Sequence, residues 1–184
     1  MKNVRRYFED GYYFFITVAT QGRKPHLTRQ PVIQALRNAV RTTMVSHPFD
    51  IQAWVVLPDH MHLLIGVADQ KVDLRIRKIK ALTTRALPEF SYKNSQKNFS
   101  KRRRRQGSLW HNRFYDRIIR NEQELYMYTL YCCFNPVKHG YVKNALEWPY
   151  STLNTYLKQG RYPESWQYIT DAWVDDNFAD YDMW

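Results

Sequence analysis

The order of predicted elements, β-α-β-β-α-β-α, places this chain in the α+β class, as a split βαβ, ferredoxin-like antiparallel sheet with helices on one face. Three observations carry that prediction. Short runs are rich in aromatic and β-branched residues, two of these runs are joined by a Pro58-Asp59 turn, and the intervening segments repeat apolar residues at helical spacing. A length of 184 residues suits one domain with decorations and suffices for a real core.

Gly11 to Thr20, with Tyr12, Tyr13, Phe14, Phe15, Ile16, Thr17 and Val18, reads as the first strand. Thr28 can cap a helix with Pro31 in its first turn; Val32, Leu36, Ala39, Val40 and Met44 then share one face, and Pro48 closes it. Ile51–Leu57 and His60–Ala68 read as a hairpin. Val72, Ile76, Ile79, Leu82 and Ala86 mark a second helix that ends at Pro88, with Arg75, Arg77, Lys78, Lys80 and Arg85 on its other faces. Residues 91–107 read as a polar loop, and Leu109–Ile119 as a fourth strand. Asn121 and Glu124 then form a capping-box-like start to a third helix that reaches Phe134, where Asn135-Pro136 is expected to break it.

Charge narrows the partner. Lys and Arg number 28 against 17 Asp and Glu, a formal charge of +11 with a pI near 9.7, which points to a polyanion. No apolar run reaches the roughly 18 residues a bilayer span needs. Acidic Glu9-Asp10 interrupts any secretory pattern at the start, so the chain reads as cytoplasmic with no membrane partner. Cys132 and Cys133 are adjacent within a helical pattern, where neighbouring side chains diverge, so both are assigned to the core.

His60-Met61-His62 opens the third strand. Side chains two apart on a strand point to one face, so the imidazoles converge while Met61 turns away. Two convergent imidazoles can hold a divalent ion, and such an ion can polarise a phosphodiester. Candidate further ligands are Asp59, Asp116, Glu122, Glu124, His111 and Gln123, and sequence does not choose among them. A nucleophile could be water or a side-chain hydroxyl. Among 14 tyrosines, Tyr115 stands out within Asn112-Arg113-Phe114-Tyr115-Asp116-Arg117, where Arg113 and Arg117 could hold a phosphate or favour phenolate. The plain alternatives are a structural histidine pair and a half-buried aromatic on an edge strand.

Four collinear motifs then resemble one family. His60-Met61-His62-Leu63-Leu64 is similar to the His-hydrophobic-His motif of single-tyrosine HUH transposases, and Trp110 to Arg117 resembles the segment that bears their tyrosine. Asn135-Pro136-Val137-Lys138-His139-Gly140 and Trp148-Pro149-Tyr150-Ser151 resemble the C-terminal signatures of the REP-associated tyrosine transposases. The resemblance runs from about residue 10 to 157 and implies the HUH endonuclease fold. It further implies Mg²⁺ or Mn²⁺ on His60 and His62, and attack by Tyr115 on single-stranded DNA with a 5′-phosphotyrosine and a free 3′-hydroxyl. The partner it implies is single-stranded DNA with REP-type hairpins, the setting bacterial and nucleoid-associated. Strand transfer of this kind needs no ATP and hence no nucleotide cofactor. One departure is notable: the position four residues after the tyrosine, where relatives can supply a ligating Gln, is Ile119. Monomer and dimer both remain open.

Phosphate contacts are assigned to Arg5, Arg6, the second helix through Arg75, Arg77 and Lys78, the block Lys101-Arg102-Arg103-Arg104-Arg105, and Arg113 and Arg117. Residues 1–162 are read as the catalytic domain and 163–184 as an acidic, Trp-containing tail. From Glu164 onward there are six acids and no Lys or Arg, so the tail carries −6 and the preceding body +17, which together give +11. That tail is expected either to gate the basic groove or to pack through Trp166, Trp173 and Trp184. Two other functions fit the same residues, a non-catalytic hairpin binder and a hydrolytic nuclease that uses metal-bound water.

Overall fold

A computed structural model describes residues 11–91 and 108–178. The elements β1 (Tyr12–Ala19), α1 (Gln30–Ser46), β2 (Asp50–Val56), β3 (His60–Val67), α2 (Val72–Arg85), β4 (Tyr115–Ile119) and α3 (Glu122–Lys138) follow in the expected order. Two shorter helices, α4 (Leu153–Lys158) and α5 (Asp171–Phe178), follow them. The sheet is antiparallel with strand order β2-β3-β1-β4, so β1 and β3 are central.

Both faces of the sheet are covered, which explains why every residue of β3 is buried. On one face α1 and α2 pack against Phe14, Ile16, Val18, Met61, Leu63 and Ile65. Burial of each such side chain contributes about 2 kcal/mol. Helix α3 takes the opposite face, over Tyr13, Phe15, Val55 and Leu64. The α+β class and the sheet are as expected, but helices lie on two faces, not one: α1 and α2 share a layer and α3 does not. The continuous apolar run of β1 leaves two faces to cover, so a third layer is required.

Several boundaries differ from the sequence reading for local reasons. Arg29, not Thr28, occupies the cap position of α1, without a side-chain cap bond. Helix α3 begins as expected, with Asn121 Oδ1 accepting from Glu124 N at 2.8 Å and Glu124 Oε2 accepting from Arg120 N at 2.9 Å. It does not end at Phe134. Asn135, Pro136 and Val137 are buried within it, and the burial of that last turn outweighs the one hydrogen bond proline removes. Gly140, at φ +67°, then closes the helix: Tyr141 N–H reaches Pro136 O at 2.9 Å and Gly140 N–H reaches Val137 O at 2.8 Å. That is a Schellman turn, whose left-handed residue is best supplied by glycine.

The expected fourth strand is interrupted. Thr20 pairs with Trp110, whereas Thr17 pairs with Tyr115, so two more residues lie on the later segment than on β1. Residues 112–114 loop out between these pairings. Lys80 Nζ pins the loop by donating to His111 O at 2.7 Å and Asn112 O at 3.2 Å, while Trp110 Nε1 donates to Lys80 O at 3.2 Å. Burial draws the Lys80 ammonium down to about 8.

The outer edge of β2 is also covered. Val56 N–H donates to Tyr150 O at 2.8 Å, Thr152 N–H to Trp54 O at 2.9 Å, and Val55 bridges Ser151. Residues 164–178 pack on α3 through buried Trp166, Val174 and Phe178, as the packed reading of the tail expected of Trp166; Trp184 lies outside the described residues. No helix among the described residues is long and apolar enough to cross a membrane.

Candidate active site

The site is built on three neighbouring strands. His62 on β3 and Tyr115 on β4 are each paired with the same residue of β1, Thr17. Paired residues in a ladder point to one face, so His62, Thr17 and Tyr115 form a row across the sheet on the α3 side. With strands about 4.8 Å apart, the backbones of His62 and Tyr115 stand about 10 Å from each other. Met61 points into the opposite core, as the alternation requires. The bulge at 112–114 sits directly before Tyr115, a place where an irregularity re-aims a side chain.

Each histidine is held through Nδ1. His60 Nδ1 lies 2.7 Å from Asp59 Oδ1, and His62 Nδ1 lies 2.9 Å from Thr17 Oγ1. A partner on Nδ1 orients each ring and leaves Nε2 free for a ligand; the Asp59 carboxylate accepts from His60, whereas the Thr17 hydroxyl can donate or accept. His62 Nε2 is buried with no hydrogen-bond partner among the described residues. Burial, followed by the charges of His60, His139, Arg23 and Lys138, holds His62 well below the usual imidazole range. It is therefore neutral, the form a metal needs. Burial would raise the Asp59 carboxyl, but the hydrogen bond from His60 and the charge of Arg23 outweigh that and lower it. Arg23 reaches Asp59 at 3.3 Å from a left-handed backbone, φ +54°.

The ring centroids of His60 and His62 are 4.9 Å apart. With metal–nitrogen bonds of about 2.1 Å, two imidazoles on one ion bring their centroids to about 5 Å, so this pair fits a shared divalent ion. His139, the residue that ends α3, places its ring edge-to-face on His60 at 5.3 Å. Even so, no group of three or more His, Cys, Asp or Glu side chains among the described residues is arranged to hold a metal. Among the described residues, two imidazole nitrogens are thus what the site offers a divalent ion.

The other candidate ligands are occupied or turned away. Asp59 supports His60 from behind, Glu124 is tied to Arg117 at 3.1 Å, and Asp116 faces the opposite side from Tyr115. His111 Nδ1 lies 3.3 Å from Arg113 O inside the bulge. Glu122 and Gln123 are exposed at the start of α3.

The cations expected to meet DNA separate into distinct groups. Arg75 is a correction: it is 3% exposed, with Nε and Nη2 donating to Pro48 O and Nη1 bound to Asp69. It fastens α2 to the end of α1 and is not a phosphate ligand. Arg77 pairs with Asp73 one turn away, and Lys78 donates to Ser46 Oγ at 2.5 Å. Both lie in the helix layer on the far side of the sheet from the histidines. Arg113 is exposed beside Tyr115, and Arg117, on the same face as Tyr115, lies 5.5 Å from the Tyr128 ring. Arg5, Arg6, Lys101, Arg102, Arg103, Arg104 and Arg105 lie outside the described residues.

Comparison with known proteins gives the family. Residues 8–131 match the family model described as Transposase IS200 like. A protein of Escherichia coli (strain K12), named REP-associated tyrosine transposase, is 34% identical over 168 residues, covering 90% of this chain and 91% of that one. The chain belongs to the REP-associated tyrosine transposases. A Haemophilus influenzae protein named in the same family is 37% identical over 90% of this chain and 93% of its own length. A solved REP-associated tyrosine transposase bound to a REP hairpin is 35% identical, covers 89% of each chain and superposes with a TM-score of 0.69.

In this REP-associated tyrosine transposase, sequence reasoning missed Thr17, Arg23 and His139. Thr17 carried no signal beyond its place in an apolar strand. His139 lay in a recognised motif whose geometry no spacing rule conveys, because the Schellman turn at Gly140 is what brings α3 to an end beside β3.

Proposed function

We propose that this chain is a divalent-metal-dependent single-strand DNA endonuclease and strand-transferase, a transposase that binds REP-type hairpins. The row His62–Thr17–Tyr115 carries the proposal, because it sets the Tyr115 hydroxyl and the His62 imidazole on one face of the sheet, as attack by one beside an ion on the other would need. Membership of a transposase family supports DNA cleavage as the reaction, and the hairpin in the related solved structure supports the substrate.

His60 and His62 would hold Mg²⁺ or Mn²⁺ through Nε2, and when bound the ion supplies Lewis-acid polarisation of a phosphate oxygen. Asp59 and Thr17 keep the two imidazoles oriented. Tyr115 Oη attacks the scissile phosphorus and gives up its proton to solvent. The P–O3′ bond breaks, and O3′ takes a proton back from solvent to leave as a hydroxyl. The DNA 5′ end stays on Tyr115 as a phosphodiester, so a 3′-hydroxyl can reverse the step on a new strand without ATP. Arg113 and Arg117, two residues to either side of Tyr115, are placed to steady the phosphate backbone.

The test is a denaturing gel of protein incubated with a labelled REP-type hairpin strand and Mg²⁺ or Mn²⁺. A covalent protein–DNA band is expected, abolished in Tyr115→Phe while hairpin binding persists. Cleavage that persists in Tyr115→Phe would show water as nucleophile, and binding without any cleavage would show a binder.

A further inference from the structure

The segment that follows β1 turns back through two left-handed residues, Gly22 at φ +67° and Arg23 at φ +54°. Glycine takes that backbone freely, and among the described residues nothing lies within 4 Å of where a Cβ on Gly22 would stand, so conformation and not crowding calls for glycine there. Arg23 lacks that freedom. A left-handed residue with a full side chain is uncommon and strained, and such strain gathers at sites whose surroundings hold the chain in place.

Here the hold is a lacing between this segment and the turn that leads into β3. Thr20 N–H donates to Asp59 O at 2.8 Å, and Leu27 N–H donates to Pro58 O at 2.8 Å. The buried Thr20 places Oγ1 3.0 Å from Asp59 O and 2.8 Å from Lys24 O. The backbone is thus fixed against residues 58–59 on both sides of Arg23, and the guanidinium meets the Asp59 carboxylate.

That carboxylate is shared between two partners. Oδ2 accepts from Arg23 Nη1 at 3.3 Å, and Oδ1 accepts from His60 Nδ1 at 2.7 Å. Rotation of the carboxylate would break one charge-assisted bond or the other. The Arg23 side chain is 43% exposed, and an ion pair so open to water adds little to folding stability. Neither the backbone nor the packing therefore calls for arginine at this position, and what the side chain touches is the carboxylate behind His60.

We propose that Arg23 is a positioning residue of the metal site: by holding the outer oxygen of Asp59, it fixes the carboxylate that orients His60. The inference rests on the reading of His60 and His62 as ligands of a divalent ion. A guanidinium near a bound cation also repels it, so the two effects of Arg23 have opposite signs. Loss of a mere neighbouring charge tightens the ion, whereas loss of a positioning residue loosens it.

The experiment is calorimetric titration of the full chain with Mn²⁺, without DNA. Arg23→Gly should weaken Mn²⁺ binding by about 10-fold, the lower end of the effect of losing an orienting partner. Because glycine suits the left-handed backbone, the melting temperature of this variant without metal should not fall. Arg23→Gln keeps the stem and the strain, and should weaken Mn²⁺ to a similar extent. Asp59→Asn should lose more, about 10- to 100-fold, and adding Arg23→Gly to it should lose nothing further, since both act on His60 through one carboxylate. Unchanged or tighter Mn²⁺ in Arg23→Gly, additive losses in the double variant, or a melting temperature that falls with the affinity would each overturn the positioning role and leave the proposed function standing. A parent protein that binds no Mn²⁺ would overturn the ligand reading of His60 and His62, and this role with it.

Discussion

Thr17 Oγ1 and His62 Nδ1 lie 2.9 Å apart in the middle of the sheet, and the residue that orients the imidazole is also the one opposite Tyr115. One residue of β1 therefore contacts the His62 imidazole through its side chain and stands opposite Tyr115 in the ladder. Thr17→Val keeps the shape and removes the hydroxyl. Leaving Nδ1 buried and unpaired should cost about 1–3 kcal/mol in urea unfolding. Loss of the orienting partner should weaken Mn²⁺ binding by about 10- to 100-fold, read by calorimetry. Unchanged Mn²⁺ affinity would refute the orienting role.

Lys80 clamps the bulge that precedes Tyr115 from the other side of the sheet. Lys80→Met retains the stem and removes the clamp. Single-turnover cleavage should slow by about 10- to 100-fold, because small misplacements of a reacting group have effects of that size. Hairpin affinity should not change. Burial places this ammonium at about 8 in the folded chain against 10.5 unfolded. Between those values the unfolded chain holds the extra proton, so this group makes stability rise with pH across that window. Denaturation series from pH 7.5 to 10.5 should lose that rise in Lys80→Met.

Arg75 and Arg77 sit two residues apart on α2 and should behave oppositely. Arg75→Ala removes a buried cation bonded to Pro48 O and Asp69, and a loss of about 3 kcal/mol is expected in urea melts. Arg77→Ala removes an exposed pair with Asp73 and should change stability by less than about 1 kcal/mol. A stability change for Arg77→Ala as large as that for Arg75→Ala would contradict these placements.

How much of this was readable beforehand depended on periodicity. Alternation along β3 placed His60 and His62 on one face and Met61 on the other, and the helical spacing of Val32 to Met44 and Val72 to Leu82 located α1 and α2. Features set by a single long-range contact were not readable. Arg75 lies on the same helix as Arg77, and only the arrival of Pro48 O from α1 makes it structural. Pro136 is a helix breaker by propensity, and only burial of its neighbours keeps it inside α3. The bulge at 112–114 depends on Lys80, some 30 residues away, so no local pattern marks it. Tyr115 was legible through its motif, and its alignment with His62 required the register of β1.

Cys132 and Cys133 are both fully buried. Burial pushes the Cys133 thiol up to about 12 and raises Cys132 as well, and Cys132 Sγ donates to His62 O at 3.7 Å. Thiolate is the reactive form. The native protein should therefore show no fast reaction with a disulfide reagent at pH 8, and two equivalents should react once guanidinium unfolds it. A thiol that reacts in the native state would place one of them at the surface.

The five-residue strand that carries Tyr115 is an edge of the sheet and, among the described residues, pairs with β1 alone. Side chains alternate along it, so a slip of one residue would turn Tyr115 to the far face and present Phe114 or Asp116 in its place. On the role proposed for Tyr115, such a chain would retain its histidines and lose the hydroxyl that attacks the strand. The role proposed for Tyr115 therefore depends on the register of one short pairing with β1.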